Sequence, residues 1–195
     1  LQRVIPVIRA LKSKIGIPVS IDTYKASVAE AAVKEGASLI NDVWGFKKDP
    51  LIAEIVARHQ VPCCLMHNRD NRDYSNLMED LIADLAESID IALKAGVKKE
   101  NIIIDPGIGF AKDYRQNLYV MNRLEQLRKL DCPVLLGTSR KSVIGNTLNL
   151  PPDERVEGTL ATTVIGIIKG CDFVRIHDVM ENKRVCMMTD TVVRE

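Results

Sequence analysis

The stretch Ile102-Ile103-Ile104-Asp105-Pro106-Gly107-Ile108-Gly109-Phe110 decides how the chain is read. An apolar run ends in a carboxylate and passes at once into a glycine-rich turn. This places one anionic hydrogen-bond acceptor at the mouth of a buried strand. The glycines permit backbone angles closed to other residues, so a flat ligand could approach the main chain beside the carboxylate.

The same grammar recurs in both directions from this stretch. Val19-Ser20-Ile21 ends in Asp22, and Leu39-Ile40 ends in Asn41-Asp42. Pro62-Cys63-Cys64-Leu65 ends in Met66-His67-Asn68, and Pro133-Val134-Leu135-Leu136 leads into Gly137-Thr138-Ser139-Arg140-Lys141. Phe173-Val174 runs into Arg175-Ile176-His177-Asp178. Helix-period segments over 24–36, 50–59, 77–95, 115–130 and 153–170 separate these runs, and 1–14 reads as an amphipathic helix with Val4, Ile5, Ile8 and Leu11 on one face. Strands alternating with helices predict parallel βαβ units. Polar side chains at the C-terminal end of every strand favour a TIM (β/α)8-type barrel over a doubly wound sheet, in which ligand chemistry gathers at one switch point. There is no G-x-G-x-x-G turn after the first strand and no G-x-x-x-x-G-K-[ST].

Six strands in 195 residues are short of an eight-stranded barrel, which takes about 250 residues. The expectation is one barrel domain over 1–195 that lacks its first two β/α units and so exposes the backbone edges of its first and last strands. With 27 basic and 26 acidic residues the chain has no global field for nucleic acid or an anionic membrane. No apolar run reaches the roughly 20 residues of a spanning helix, and no secretory signal opens the chain. An intracellular, cytoplasmic protein is expected. Cys63, Cys64, Cys132, Cys171 and Cys186 lack C-x-x-C spacing and read as buried free thiols.

Taken together, Ile21-Asp22-Thr23, Asn41-Asp42-Val43, Met66-His67, Asp105 to Phe110, Ser139-Arg140-Lys141-Ser142 and Arg175-Ile176-His177-Asp178 resemble, in order and spacing, bacterial dihydropteroate synthase. The resemblance spans essentially the whole chain. It implies a transferase of folate biosynthesis that joins 4-aminobenzoate to 6-hydroxymethyl-7,8-dihydropterin diphosphate with release of pyrophosphate, assisted by Mg2+. It also implies inhibition by sulfonamides and a homodimer. By similarity, Asp22, Asn41, Met66, Asp105 and Lys141 contact the pterin. Arg175 and His177 hold the diphosphate, while Phe110, Lys141 and Ser142 receive 4-aminobenzoate. Asp105, Lys141, Arg175 and His177 carry the catalysis. The metal ligands are unknown, because the family's asparagine near the metal falls in the missing N-terminal segment.

Each residue also has a plainer reading. Asp22 and Asp42 fit helix capping as well as ligand contact, and Asp105 fits a local Asx turn before Pro-Gly. Arg140 and Lys141 fit a solvated pair at a helix start, where positive charge is mildly unfavourable and so points to an anionic or polar ligand. His177 fits a satisfied structural histidine and His59 a surface or capping residue. His67 is open, and 69–73 reads as a solvated loop. Two other functions fit the same motifs: a catalytically silent pterin-binding fragment, and the pterin domain of a methyltetrahydrofolate:corrinoid methyltransferase. Lys141, Arg175 and His177 argue against the latter, because a methyl donor brings no diphosphate to neutralise.

Overall fold

The structure, a computed structural model, describes residues 1–193, and all six expected strands form. The described chain divides into two compact units, Leu1–Asn68 with Ala83–Ile104, and Arg69–Ile82 with the chain from Asp105 onward.

The first unit is built on a sheet in the order β1 (Ser20–Asp22), β2 (Leu39–Asp42), β3 (Cys63–Met66), β4 (Ile102–Asp105). β1 pairs in parallel with β2, and β2 with β3. Both inner strands are covered on two faces, as a parallel sheet requires: Cys63, Cys64, Leu65 and Met66 are all buried, as are Ile40, Asn41 and Asp42. At the edge, β1 buries only Ile21 and leaves Ser20 and Asp22 exposed. Helices α1 (Ile5–Lys12), α2 (Ala26–Lys34) and α3 (Leu51–His59), with α4 (Leu77–Lys94) from Ala83 on, complete the unit. In α1, Ile8 is buried and Val4, Ile5 and Leu11 are half-buried, in line with the predicted apolar face. The first amide of α2 is satisfied from a distance, with Ala26 N–H donating to Asp49 Oδ2 at 2.8 Å.

In the second unit β5 (Leu135–Leu136) and β6 (Phe173–Val174) pair in parallel. The segment expected as one helix over 115–130 is α5 (Tyr114–Met121) followed by a 3-10 turn, Leu124–Leu130. A capping box starts α5: Asp113 accepts the Gln116 N–H at 2.7 Å, and the Gln116 side chain accepts the Asp113 N–H at 2.8 Å. A 3-10 turn, Pro152–Glu154, opens the segment expected over 153–170, and α7 (Val156–Ile168) follows. Two further helices, α6 (Ser142–Leu148) and α8 (Val179–Val193), lie outside the expected segments. α8 packs on α7, where Thr163 donates to the buried Asn182 Oδ1 at 2.8 Å. The architecture is therefore α/β with parallel pairing. No described helix is long and apolar enough to cross a membrane.

Candidate active site

In the first unit the strand register places Asp22 directly opposite Asn41, at the C-terminal ends of β1 and β2. Asn41 is buried and Asp22 exposed. Neither Asp22 nor Asp42 caps a helix. Asp42 is fully buried and turned into its own loop, with Oδ1 accepting the Trp44 N–H and Oδ2 the Phe46 N–H, each at 2.9 Å. Burial pushes its carboxyl pKa up, and the two turn amides pull the other way. Asp42 thus shapes the turn beyond Asn41 and caps no helix. Met66, at the end of β3, is almost fully buried. The next residue, His67, sets its Nε2 3.0 Å from Asp84 Oδ2. His59 sits 3.3 Å from Glu30, a peripheral pairing as expected.

The second unit gathers the remaining candidates. Asp105 has no solvent exposure. Its Oδ1 accepts the Gly107 N–H at 2.8 Å, and its Oδ2 accepts from Arg175 Nη2 at 2.8 Å. The Asx-turn reading of Asp105 holds, and the same carboxylate also receives Arg175. A carboxylate has about four acceptor positions, so one lone pair on each oxygen is left for a further donor. Lys141 donates through Nζ to the Ile108 carbonyl and lies 4.9 Å from the Phe110 ring centroid. Burial pulls its pKa down to about 8, with Asp105 acting to raise it and Arg175 to lower it. Lys141 is also the N-cap residue of α6, leaving Ser142 exposed at the first helical position.

Arg175 and His177, two residues apart, are both exposed and line one cavity of about 190 Å³ with Gly137, Ser139, Lys141 and Ile176. The Ser139 hydroxyl sits 2.9 Å from His177 Nδ1 and accepts the His177 backbone N–H at 3.1 Å. A cleft of about 630 Å³ lies elsewhere in this unit, against Arg128, Cys132, Val134, Cys171 and Asp172. Val134 and Asp172 immediately precede β5 and β6, so that cleft is at the opposite strand ends from the convergent polar groups.

Arg140 is no solvated partner of Lys141. It adopts a positive φ of 59° and forks onto Asp178, with Nε and Nη2 at 3.2 and 2.5 Å. Asp178 holds the Arg140 guanidinium more firmly charged, and Arg140 pulls the Asp178 carboxyl down. Arg155, which the sequence did not single out, supports this turn by donating to the carbonyls of Arg140 at 2.8 Å and Lys141 at 3.3 Å. Its guanidinium fills the space beside Gly145, where a Cβ would come within 2.1 Å of it. Lys112 and Asn117 are also new: both are buried and both bond to the loop after Asp105. The segment 70–73 is exposed, as expected for a solvated loop, and Tyr74 beyond it donates to the Ala111 carbonyl at 2.7 Å. Cys63, Cys64, Cys132 and Cys171 are buried free thiols and Cys186 is half-buried. Among the described residues no three His, Cys, Asp or Glu side chains come together as a metal site.

A lysine, an arginine and a histidine around one cavity, beside a buried carboxylate with open acceptor positions, suit a ligand that is anionic at one end and rich in N–H donors at the other. Comparison with known proteins points the same way. Residues 1–177 match the pterin-binding enzyme family. Over all 195 residues the chain is 64% identical to dihydropteroate synthase of Clostridium beijerinckii, spanning 72% of that protein, and 56% identical to that of Bacillus subtilis, spanning 68%. A crystal structure of dihydropteroate synthase from Clostridium difficile in the presence of pteroic acid superposes with a TM-score of 0.98 at 51% identity, covering 100% of this chain and 74% of that one. The Yersinia pestis enzyme in a sulfonamide drug complex gives 0.94 at 34% identity, covering 98% and 72%. The chain belongs to the pterin-binding enzyme family and, within it, to the dihydropteroate synthases.

Proposed function

We propose that this chain forms the bond between the amine of 4-aminobenzoate and the methylene carbon of 6-hydroxymethyl-7,8-dihydropterin diphosphate. A carbon–nitrogen bond forms, the carbon–oxygen bond to the diphosphate breaks, and pyrophosphate leaves with its electron pair while the amine loses a proton. The substrate's own amine is the nucleophile, so no protein side chain needs activation. The site's work is then positioning and charge stabilisation.

The observation that carries this reading is the buried Asp105 bound to Arg175 beside the Lys141 and His177 cavity. Asp105 receives the pterin amino group and ring N–H on its open lone pairs. Asn41 and Asp22 meet other ring heteroatoms, and Met66 forms an apolar wall. Lys141 donates to the pterin carbonyl and flanks the aminobenzoate ring with its stem, Phe110 packs on that ring, and Ser142 meets its carboxylate. Arg175 and His177 grip the diphosphate, and these contacts strengthen as leaving-group charge develops. Mg2+, as cofactor, would neutralise charge on the diphosphate oxygens and so act in the same direction as Arg175 and His177.

The TIM (β/α)8-type barrel, with 1–195 as one pterin-binding domain, is part of this reading, as are a homodimer and a cytoplasmic location. Relatives in complex with pteroic acid and with a sulfonamide drug support binding of the pteroate skeleton and of sulfonamides here. Calorimetric titration tests the assignment. Dihydropterin diphosphate with Mg2+ is expected to bind more tightly than the pterin alcohol or methyltetrahydrofolate, and equal binding of all three by folded protein rejects it.

A further inference from the structure

Lys112 is buried to 4% exposure, and the reaction as derived gives it no task. Removing an ammonium from water is unfavourable unless its protons are met. Here Nζ donates to the carbonyls of Gly107 and Phe110, each at 3.1 Å, on the two sides of the turn that follows Asp105. The turn has few reasons of its own to hold its shape, since Gly107, Gly109 and Ala111 all have positive φ, at 67°, 86° and 47°. Asn117 secures it from the same side, its Oδ1 accepting the Gly109 N–H at 2.7 Å and its Nδ2 donating to the Asp113 carbonyl at 2.7 Å.

Three groups of the site depend on this turn. Gly107, whose carbonyl Lys112 holds, gives its N–H to Asp105. Ile108 supplies the carbonyl that receives Lys141, and Phe110 supplies the ring beside the Lys141 ammonium. We propose that Lys112 is a positioning residue of the condensation, whose buried ammonium fixes the 107–110 backbone and thereby the relative placement of Asp105, Phe110 and Lys141. The inference rests on the synthase reading for its kinetic consequence alone; its structural part concerns the ligand-free loop.

The test uses Lys112→Met, which keeps the stem and removes the donors. In the ligand-free protein, hydrogen exchange at the Gly107 and Gly109 amides is expected to accelerate at least tenfold while amides of β2 and β3 are unchanged. In the condensation assay KM for both substrates is expected to rise, with kcat/KM down about 100-fold, as for loss of alignment at a reacting centre. Unchanged exchange at Gly107 and Gly109 overturns the proposal. So do KM values within threefold of the parent. If the parent itself shows no condensation, the synthase reading fails on that result, and the exchange data still decide the role of Lys112 in the loop. Should Lys112→Met not fold, Lys112→Arg, which retains donors, gives the second reading: protected amides with near-parent KM support the assignment, and folded protein with parent-like protection but hundredfold-raised KM overturns it.

Discussion

Replacing Asp105 by Asn changes one oxygen to an amide nitrogen inside a site that accepts from two donors, Gly107 N–H and Arg175 Nη2. The amide oxygen serves one of them, and the new N–H2 faces the other. A hydrogen bond to a charged group contributes about 1.5–3 kcal/mol. The Arg175 side chain is 41% exposed, so solvent screening places the loss in the folded protein nearer 2 kcal/mol. For a chain of this length that is a fall in Tm of about 4–8 °C. Pterin binding loses more. The carboxylate offers one open lone pair on each oxygen to two ligand donors, and the amide offers acceptors at one atom only. Losing one charge-assisted bond and opposing a second donor amounts to about 3 kcal/mol, or roughly 150-fold in Kd. Calorimetry at 15 °C, where the variant remains folded, separates the two effects, with the folded fraction read by near-UV circular dichroism. Affinity within fivefold of the parent would refute the role given to Asp105. So would a loss that vanishes once the folded fraction is corrected for.

Three further outcomes follow from the same geometry. Because the Lys141 pKa lies at about 8 in the folded protein and 10.5 is its ordinary value, the native state releases this proton first; the stability due to this site therefore rises from pH 8 to about 10.5, while the donor proton is lost. kcat/KM should accordingly fall with an apparent pKa near 8, and Lys141→Arg should abolish that limb of a pH–rate profile. Gly109→Ala forces a side chain at φ 86° and brings a Cβ within 3.1 Å of Lys141 Cδ, so a stability loss of about 1–2 kcal/mol in urea titration should accompany a raised KM for 4-aminobenzoate. Arg175→Gln should lower the preference for pterin diphosphate over the pterin alcohol at least tenfold, measured by competition binding; an unchanged ratio would remove Arg175 from diphosphate recognition.

The strands were legible because each is a short apolar run closed by polar residues, a signal carried by consecutive positions. The start of α6 was legible at Arg140 and Lys141 but its extent was not, because seven residues containing Gly145 and Asn146 show no helical stripe; α8 escaped because its Met, Thr, Asn and Asp residues blur one. Asp105 was legible as a strand-end acceptor, but its partner Arg175 lies seventy positions away and no local pattern joins them. Asp42 stood where capping residues stand. Only the backbone reveals that its two oxygens turn back onto Trp44 and Phe46. Lys112 and Arg155 were not singled out, because a long cationic side chain gives no sequence sign of being folded inward onto carbonyls.

The most direct test of the synthase reading is the reaction itself, run with dihydropterin diphosphate, Mg2+ and isotopically labelled 4-aminobenzoate, with label in dihydropteroate and released pyrophosphate counted together. Equimolar dihydropteroate and pyrophosphate, both lost in Asp105→Asn at matched folded fraction, is the expected result. Methyl transfer from methyltetrahydrofolate to a corrinoid, with no labelled dihydropteroate formed by folded protein, would contradict it.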